Sequence, residues 1–421
     1  MSRYLQLLFL PLTALGLCLA KGEEADEIPR TPLRDAPHSY WETKSTDAFA
    51  HLAPEILSGD IRLDDTSEKT YLLSLLKALD VPVESQLLVY SATSLQSGVI
   101  KPSNPRALYF NEEVYVGFVP NGKLEIAAID PALGPVFHIF EPNARGGRPI
   151  IERTERCMNC HAGRATDQVP GLVAESVIVM EGSGATLKGY RRDQTGHQIP
   201  IDERLGGWHV TGKHAKGDHL GNLTGTSKAQ GDRRISNPPG RLFSMDRYLV
   251  DTSDFLTHLI HEHQLGFHNR VTSAVYRTRE ALEAGNGRLS TTHGAELNEH
   301  ARELIRYILF ADEAELPRGG VEGDPAFMRV FSERKIAAAN GASLRDFDLR
   351  TRLFKYRCSY MIYTPGFLKM PPEFLERVWK GMDTVLRDEG GPAEFNYLSP
   401  EEKRSIRQIL RETVEGLPPG F

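Results

Sequence analysis

Cys157-Met158-Asn159-Cys160-His161 decides how this chain is read. The pentad has the form C-x-x-C-H, the attachment pattern for a c-type haem. The spacing has a chemical reason. Two thiols separated by two residues can each add to one haem vinyl group, making two thioethers. The imidazole that follows then lies under the iron and can ligate it axially. The pattern occurs once, so one covalent haem c is the expected load, bound through Cys157, Cys160 and His161, with His161 on the metal.

Three plainer readings compete. A C-x-x-C can be a thioredoxin-like redox pair, which needs a strand leading into a βα unit. Here Glu152-Arg153-Thr154-Glu155-Arg156 is charged and carries no strand pattern. It can be half of a zinc site, which needs a second Cys or His pair to complete the tetrahedral shell. Cys358 is the only other cysteine beyond residue 20, and it stands alone. It can also be a disulfide in an oxidising compartment.

The N-terminus favours haem. Arg3 is followed by a mostly apolar run, Leu7 to Leu19, and by the small residue Ala20. A short basic region, an apolar core and a small residue at the cleavage point read as a secretory signal. The run is short and interrupted by Pro11, so it makes a poor membrane span. Covalent haem attachment takes place outside the bacterial cytoplasm, so export and the pentad predict each other. The expected location is periplasmic or secreted. Lipid anchoring at Cys18 is the lesser alternative, because Leu17 before it is larger than that processing accepts.

Removing residues 1–20 takes away one arginine and moves the formal net charge from −6 to −7. An acidic chain argues against nucleic acid and anionic membrane surfaces as partners. No later stretch approaches the length of a transmembrane span. The expected partner is a redox protein, with a small-molecule ligand at the iron as the alternative.

Along the chain, residues 21–45 are rich in Pro, Glu, Asp and Arg, and 21–60 reads as an extended arm or linker. Ser67 to Asp80 has helix caps and an apolar stripe of Tyr71, Leu72, Leu75, Leu76 and Leu79. Val114 to Val119 and Lys123 to Ile129 flank Pro120-Asn121-Gly122, a hairpin signal. Pro135 to Phe140 reads as a further strand, and a Gly-rich turn at 145–148 precedes the pentad. Leu172 to Met180 and Thr186 to Arg191 bracket a second hairpin, and 206–212 is a short strand and turn. Residues 213–241 are polar and basic and read as a loop or flap, although their Arg and Lys could also face an acidic partner. Candidate helices follow at 254–284 (capped by Ser253), 295–311, 325–339, 372–388 and 400–414. The last has a cap at Ser399, Pro400 at its first position and Glu at the third. The fold class is α+β, with a β-rich N-terminal half (86–225) and a helical C-terminal half (246–415) around one haem. Residues 61–421 form one elaborated unit.

The sixth coordination position separates a sealed electron carrier from an open site. Three stretches offer ligands. In helix 254–284, His263 falls in line with Leu256, Leu259, Ile260, Phe267, Val271 and Ala274, so it points into the core and is the first choice, with His268 next. His258 and His261 fall off that stripe and are expected in solvent. Met370 precedes Pro371 and a C-terminal helix, as the distal Met does in small class I cytochromes c. His209, His214 and His219 recur every five residues in a Gly-rich stretch, and near Asp218 they suit a second metal as well as the haem face. For each, the plainer reading is a hydrogen-bonded core residue or a solvated loop. Cys358 reads as a buried small apolar residue.

Glu262-His263-Gln264, His268-Asn269, Trp208 to Asn222, Ser343 to Phe354 and Cys358 to Tyr363 are similar to a group of large, secreted, mono-haem c-type cytochrome-like bacterial proteins without an assigned activity. The resemblance covers most of residues 100–390. It implies c-type haem binding within a single elaborated unit and supplies no substrate. The cytochrome motif carries over only at Cys157, Cys160 and His161.

The expected function is electron transfer by an exported haem protein. The alternative is a haem oxidoreductase acting on a peroxide, a sulfur compound or a nitrogen oxide, with His214, His219 or His268 moving protons, or a gas sensor. A carrier alone needs about a hundred residues, and the bulk here favours a pocket.

Overall fold

Period-2 patterning and an Asn-Gly turn build the frame of the molecule. In the computed structural model, which describes residues 27–142, 148–191, 196–214, 216–226, 234–238, 240–387 and 391–421, Val114–Phe118 (β3) and Leu124–Asp130 (β4) pair antiparallel, Val116 opposite Ile126. Asn121 turns the chain between them with φ +61°, a left-handed conformation that Asn tolerates better than most residues. Leu87–Val89 (β1), Arg106–Phe110 (β2), Gly134–Glu141 (β5), Ile150–Arg153 (β6) and Trp208–His209 (β9) complete a seven-stranded sheet in the order β6-β5-β4-β3-β2-β1-β9. All its neighbours are antiparallel. A second sheet, β11-β10-β7-β8, is made of Ser176–Met180 (β7), Thr186–Arg191 (β8), Leu223–Gly225 (β10) and Arg234–Ser236 (β11).

Side chains alternate across the large sheet, and both faces are covered. One face carries Tyr109, Val116, Ile126 and Phe140, packed on helices Ala48–Ser58 (α1) and Glu68–Ala78 (α2) through Phe49, Leu52, Leu72, Leu75 and Leu76. Ser67 caps α2 in a reciprocal box with Thr70. The other face carries Val89, Phe110, Tyr115, Ala127, Ile129 and Phe137, and belongs to the core built around Phe255–Ala284 (α4). That core runs on through Thr291–Ile308 (α5), Pro325–Glu333 (α6), Pro365–Leu368 (α7), Pro372–Val385 (α8) and Pro400–Thr413 (α9). The architecture is therefore α+β, β-rich first and helical second, as the sequence indicates. Among the described residues no helix is long and apolar enough to cross a membrane.

Several expectations change. The arm is not extended throughout, because α1 occupies Ala48–Ser58 and residues 27–47 are docked. Its backbone N–H groups at Ile28 and Thr31 donate to Glu296 and Glu280, and Tyr40 is fully buried with its hydroxyl on the Pro135 carbonyl. Main-chain donors on two helix carboxylates, the buried Glu280 and the partly exposed Glu296, hold a segment that composition alone marks as unanchored. Residues 150–153 form a strand despite their charges, because an edge strand pairs through its backbone and can leave side chains such as Glu152 partly in solvent. The segment 213–241 is not all loop, since it supplies β10 and β11. Asp254, not Ser253, caps α4, while the Ser253 hydroxyl bridges the Leu88 amide and the His209 carbonyl. The helix expected over 325–339 stops at Glu333, since Ala337 and Ser343 pair across a turn where Gly341 takes φ +82°. Residues 1–20 and most of the Gly-rich turn at 145–148 lie outside the described residues.

Candidate functional site

The pentad sits where β6 ends. Thr154 caps a short 3-10 turn, Glu155–Cys157, and a single helical turn, Met158–His161 (α3), carries the rest. The entry is clamped from outside. The Arg153 guanidinium lies over the rings of Tyr40 (4.3 Å) and Trp41 (5.2 Å) and donates to the carbonyls of Tyr40 and Thr43. Residues three apart on a helical turn share a side, so Cys157 and Cys160 present their sulfurs together. Both thiols are free, Cys157 half-buried against the core and Cys160 exposed.

Burial pushes the Cys157 thiol up to about 11, with Glu125, Cys160 and Glu152 adding to the effect. A nucleophilic C-x-x-C pair needs the opposite, a thiolate stabilised near neutrality. The preceding strand is also an antiparallel edge strand, not the parallel strand of a βα unit. No three His, Cys, Asp or Glu side chains gather as a metal site among the described residues, which leaves a zinc half-site without its other half.

His161 is the most constrained member. Its Nδ1 lies 2.9 Å from the Gly171 carbonyl, and the Gly171 amide donates back to the His161 carbonyl at 2.7 Å. A carbonyl can only accept, so Nδ1 carries the proton and the Nε2 lone pair is left open. Burial holds the imidazole below its usual range, which keeps it neutral. The ring rests on Phe137 of β5, centroids 4.2 Å apart and tilted 36°. Gly171 in turn is fixed by α4, where the Asn269 amide brackets Leu172, accepting from its N–H at 2.7 Å and donating to its carbonyl at 2.8 Å. Only glycine fits at 171, because a Cβ there would stand 2.6 Å from Thr166 and 2.9 Å from Asn269.

The other histidines are distributed unevenly. His263 is fully buried, as its place on the apolar stripe implies. Both its nitrogens are engaged, Nδ1 with His197 and Nε2 with the Ser359 hydroxyl, each at 2.8 Å, and its ring stacks on Tyr307 and Phe310. His268 gives Nε2 to the Glu112 carbonyl at 2.8 Å. His258 contacts Ser253 and the His209 carbonyl. His219 uses both nitrogens, on the His214 carbonyl and the Gly221 amide, while His214 accepts from the Glu322 amide. Met370 is a core residue, 3% exposed.

His258 and His261, expected in solvent, are 1% and 3% exposed. A one-face period misleads here because α4 is covered on more than one side, by β5, α5, α7 and α8. His261 reaches the sheet, with its ring 5.1 Å from Phe110 and 5.8 Å from both Tyr115 and Trp208. The Arg106–Glu125 ion pair, at 2.5 Å, lies on this same face and acts electrostatically on His161, and Arg106 acts on His261 as well. Gly117 underlies the pair, a Cβ there meeting Glu125 at 3.2 Å and Arg106 at 3.3 Å.

Sequence reading missed Gly171, Asn269 as a clamp, Phe137, the Arg106–Glu125 pair and the His197 partner of His263. The one available signal was the run of polar residues on every face of an otherwise apolar helix. Compared with known proteins, the chain matches no family model, no curated protein and no solved structure.

Proposed function

We propose that the chain is an exported c-type haem protein that carries electrons through one covalent haem on Cys157 and Cys160. The observation that carries this reading is His161, whose Nδ1–H is committed to the Gly171 carbonyl at 2.9 Å while Nε2 is open. Iron-ligating histidines characteristically donate their second nitrogen in this way, which fixes the tautomer and raises ligand basicity. The free thiols on one side of α3 and the neutral imidazole next to them fit the donor set of a c-type haem.

When bound, the haem would supply a one-electron Fe(III)/Fe(II) couple. Cys157 and Cys160 would tether it, and His161 would hold the iron from one side. Gly171 and, behind it, Asn269 would keep that imidazole from turning. Phe137 would exclude water from one side of the ring. Arg106 and Glu125 would set the local field on the same sheet face. The partner in this reading is a redox protein outside the cytoplasm.

The test is expression of the full chain in bacteria that supply the haem-attachment machinery. The reading expects a mass equal to the processed polypeptide plus one haem, and a pyridine haemochrome spectrum of the two-thioether type. Cys157→Ala with Cys160→Ala should abolish the covalent product. A colourless protein with the mass of the bare polypeptide overturns it.

A further inference from the structure

We propose that a cleft behind Gly171 binds a small oxyanion, a carboxylate or a phosphate, on Arg270 and Arg164. A cavity of about 340 Å³ opens there between the turn Arg164–Thr166 and the helices α4 and α5. That is the size of a small-molecule site. Asn269 and Arg270 line it from α4, and His300 and Glu303 from α5. Thr166 and Asn269, which both line it, are also the groups that close on Gly171. The cavity therefore stands behind the clamp of His161 and outside the pentad itself.

Arg270 is the anchor. Its guanidinium lies 4.0 Å over the Tyr307 ring and donates to the Gly266 carbonyl at 3.0 Å and to Gln198 Oε1 at 3.1 Å. All three partners are neutral, and among the described residues no carboxylate comes within ion-pair distance of it. Burial holds the group below its usual range, opposed by Tyr307 and Glu303. The most deeply buried arginines, Arg204, Arg277 and Arg345, each meet a carboxylate instead. Arg153 and Arg279 also rest on carbonyls, but Arg270 adds the cavity and a second arginine. Arg164 is exposed on another wall and has no partner among the described residues. The acids of the lining do not cancel this charge. Asp167 is spent on Arg30 at 2.8 Å and on the Ser273 hydroxyl at 2.6 Å, and Glu303 is exposed. A planar fork with N–H groups left over matches the edge of a carboxylate or phosphate. Stacking on Tyr307 sets that fork before the ligand arrives, which lowers the ordering cost of binding.

The experiment uses the full chain as it matures, whether or not it carries haem. Inorganic phosphate and acetate are titrated by calorimetry and by thermal melt, against sodium chloride at equal ionic strength. At least one of the two oxyanions should bind saturably and raise the melting temperature beyond the chloride control, and the tighter of the two names the ligand class. Arg270→Gln should weaken that binding about tenfold or more, and Arg164→Gln should weaken it less. Glu303→Gln, which removes a negative charge from the rim, should tighten it about two- to fivefold. Circular dichroism of each variant reports the fold. Absence of saturable binding by both oxyanions overturns the proposal, as does a folded Arg270→Gln that binds as wild type does. Should Arg270→Gln not fold, Arg164→Gln and Glu303→Gln decide, and wild-type affinity in both overturns it.

Discussion

Asn269→Ala removes the clamp behind His161. The amide of Asn269 accepts from Leu172 N and donates to Leu172 O at 2.7 and 2.8 Å. Its loss strips both partners from a partly buried peptide, at about 1–2 kcal/mol each, so about 2–4 kcal/mol in total. With an unfolding entropy of about 2.1 cal/mol/K per residue, a chain of this length loses about 0.8 kcal/mol of stability per degree near Tm, so the melting temperature should fall by about 3–5 °C. The local consequence is sharper. Gly171 adjoins Leu172, and its carbonyl holds His161 Nδ1. On the proposed haem reading, loosening that bond would make the imidazole a weaker donor and stabilise Fe(III) less, so the reduction potential of the holoprotein should rise. Asn269→Asp keeps the acceptor for Leu172 N and loses only the donor, and should fall between the two. The assays are a thermal melt of the haem-free chain and a potentiometric titration of the holoprotein. A melt within about 1 °C of wild type together with an unchanged potential would refute the chain of contacts from α4 to His161.

Three further outcomes follow from other contacts. Burial holds His258 down to about 3, against an unfolded value near 6.5. As pH falls through 6.5 the unfolded chain takes up the proton first, so His258 contributes stability above pH 6.5 that is lost on the way down toward pH 3. The loss between pH 7 and pH 5 is about 2 kcal/mol, and urea melts of His258→Gln should show a pH dependence flatter by that amount. Equal dependence in both proteins would contradict the buried neutral state. Arg204 and Glu262 form an ion pair with both side chains 2% exposed. Glu262→Gln strands the guanidinium and should cost about 3–5 kcal/mol, with partial recovery in Glu262→Gln/Arg204→Met; a urea midpoint like that of wild type would count against it. Gly171→Ala forces a methyl to within 2.6 Å of Thr166. It should cost about 1–3 kcal/mol and, in the proposed haem-loaded form, broaden the iron-ligand spectrum, whereas an unaltered crystal position for His161 would show that the site yields more easily than the geometry implies.

The hairpin at 114–130 and the long helix were legible because their signals are local. A turn residue with a left-handed φ and strict alternation specify β3 and β4, and α4 differs from its expected span by one residue. The pentad was legible for the same reason, since thiol spacing is a property of five residues. The arm at 27–47 and the edge strand β6 were not, because backbone donors to Glu280 and Glu296 and main-chain pairing to β5 leave no mark in composition. The solvent exposure expected for His261 failed because a period of one face describes a helix covered on one side.

Sequence alone determined the local pattern of the pentad: two thiols and an imidazole at C-x-x-C-H spacing, once. It could not determine what the buried histidines of α4 meet. His258 meets a carbonyl 49 residues away, His263 a hydroxyl 96 away and His268 a carbonyl 156 away. Those partners arrive only when the sheet, α4 and the C-terminal helices close on one another. What a buried imidazole bonds to depends on what long-range packing sets beside it, and no local pattern encodes that.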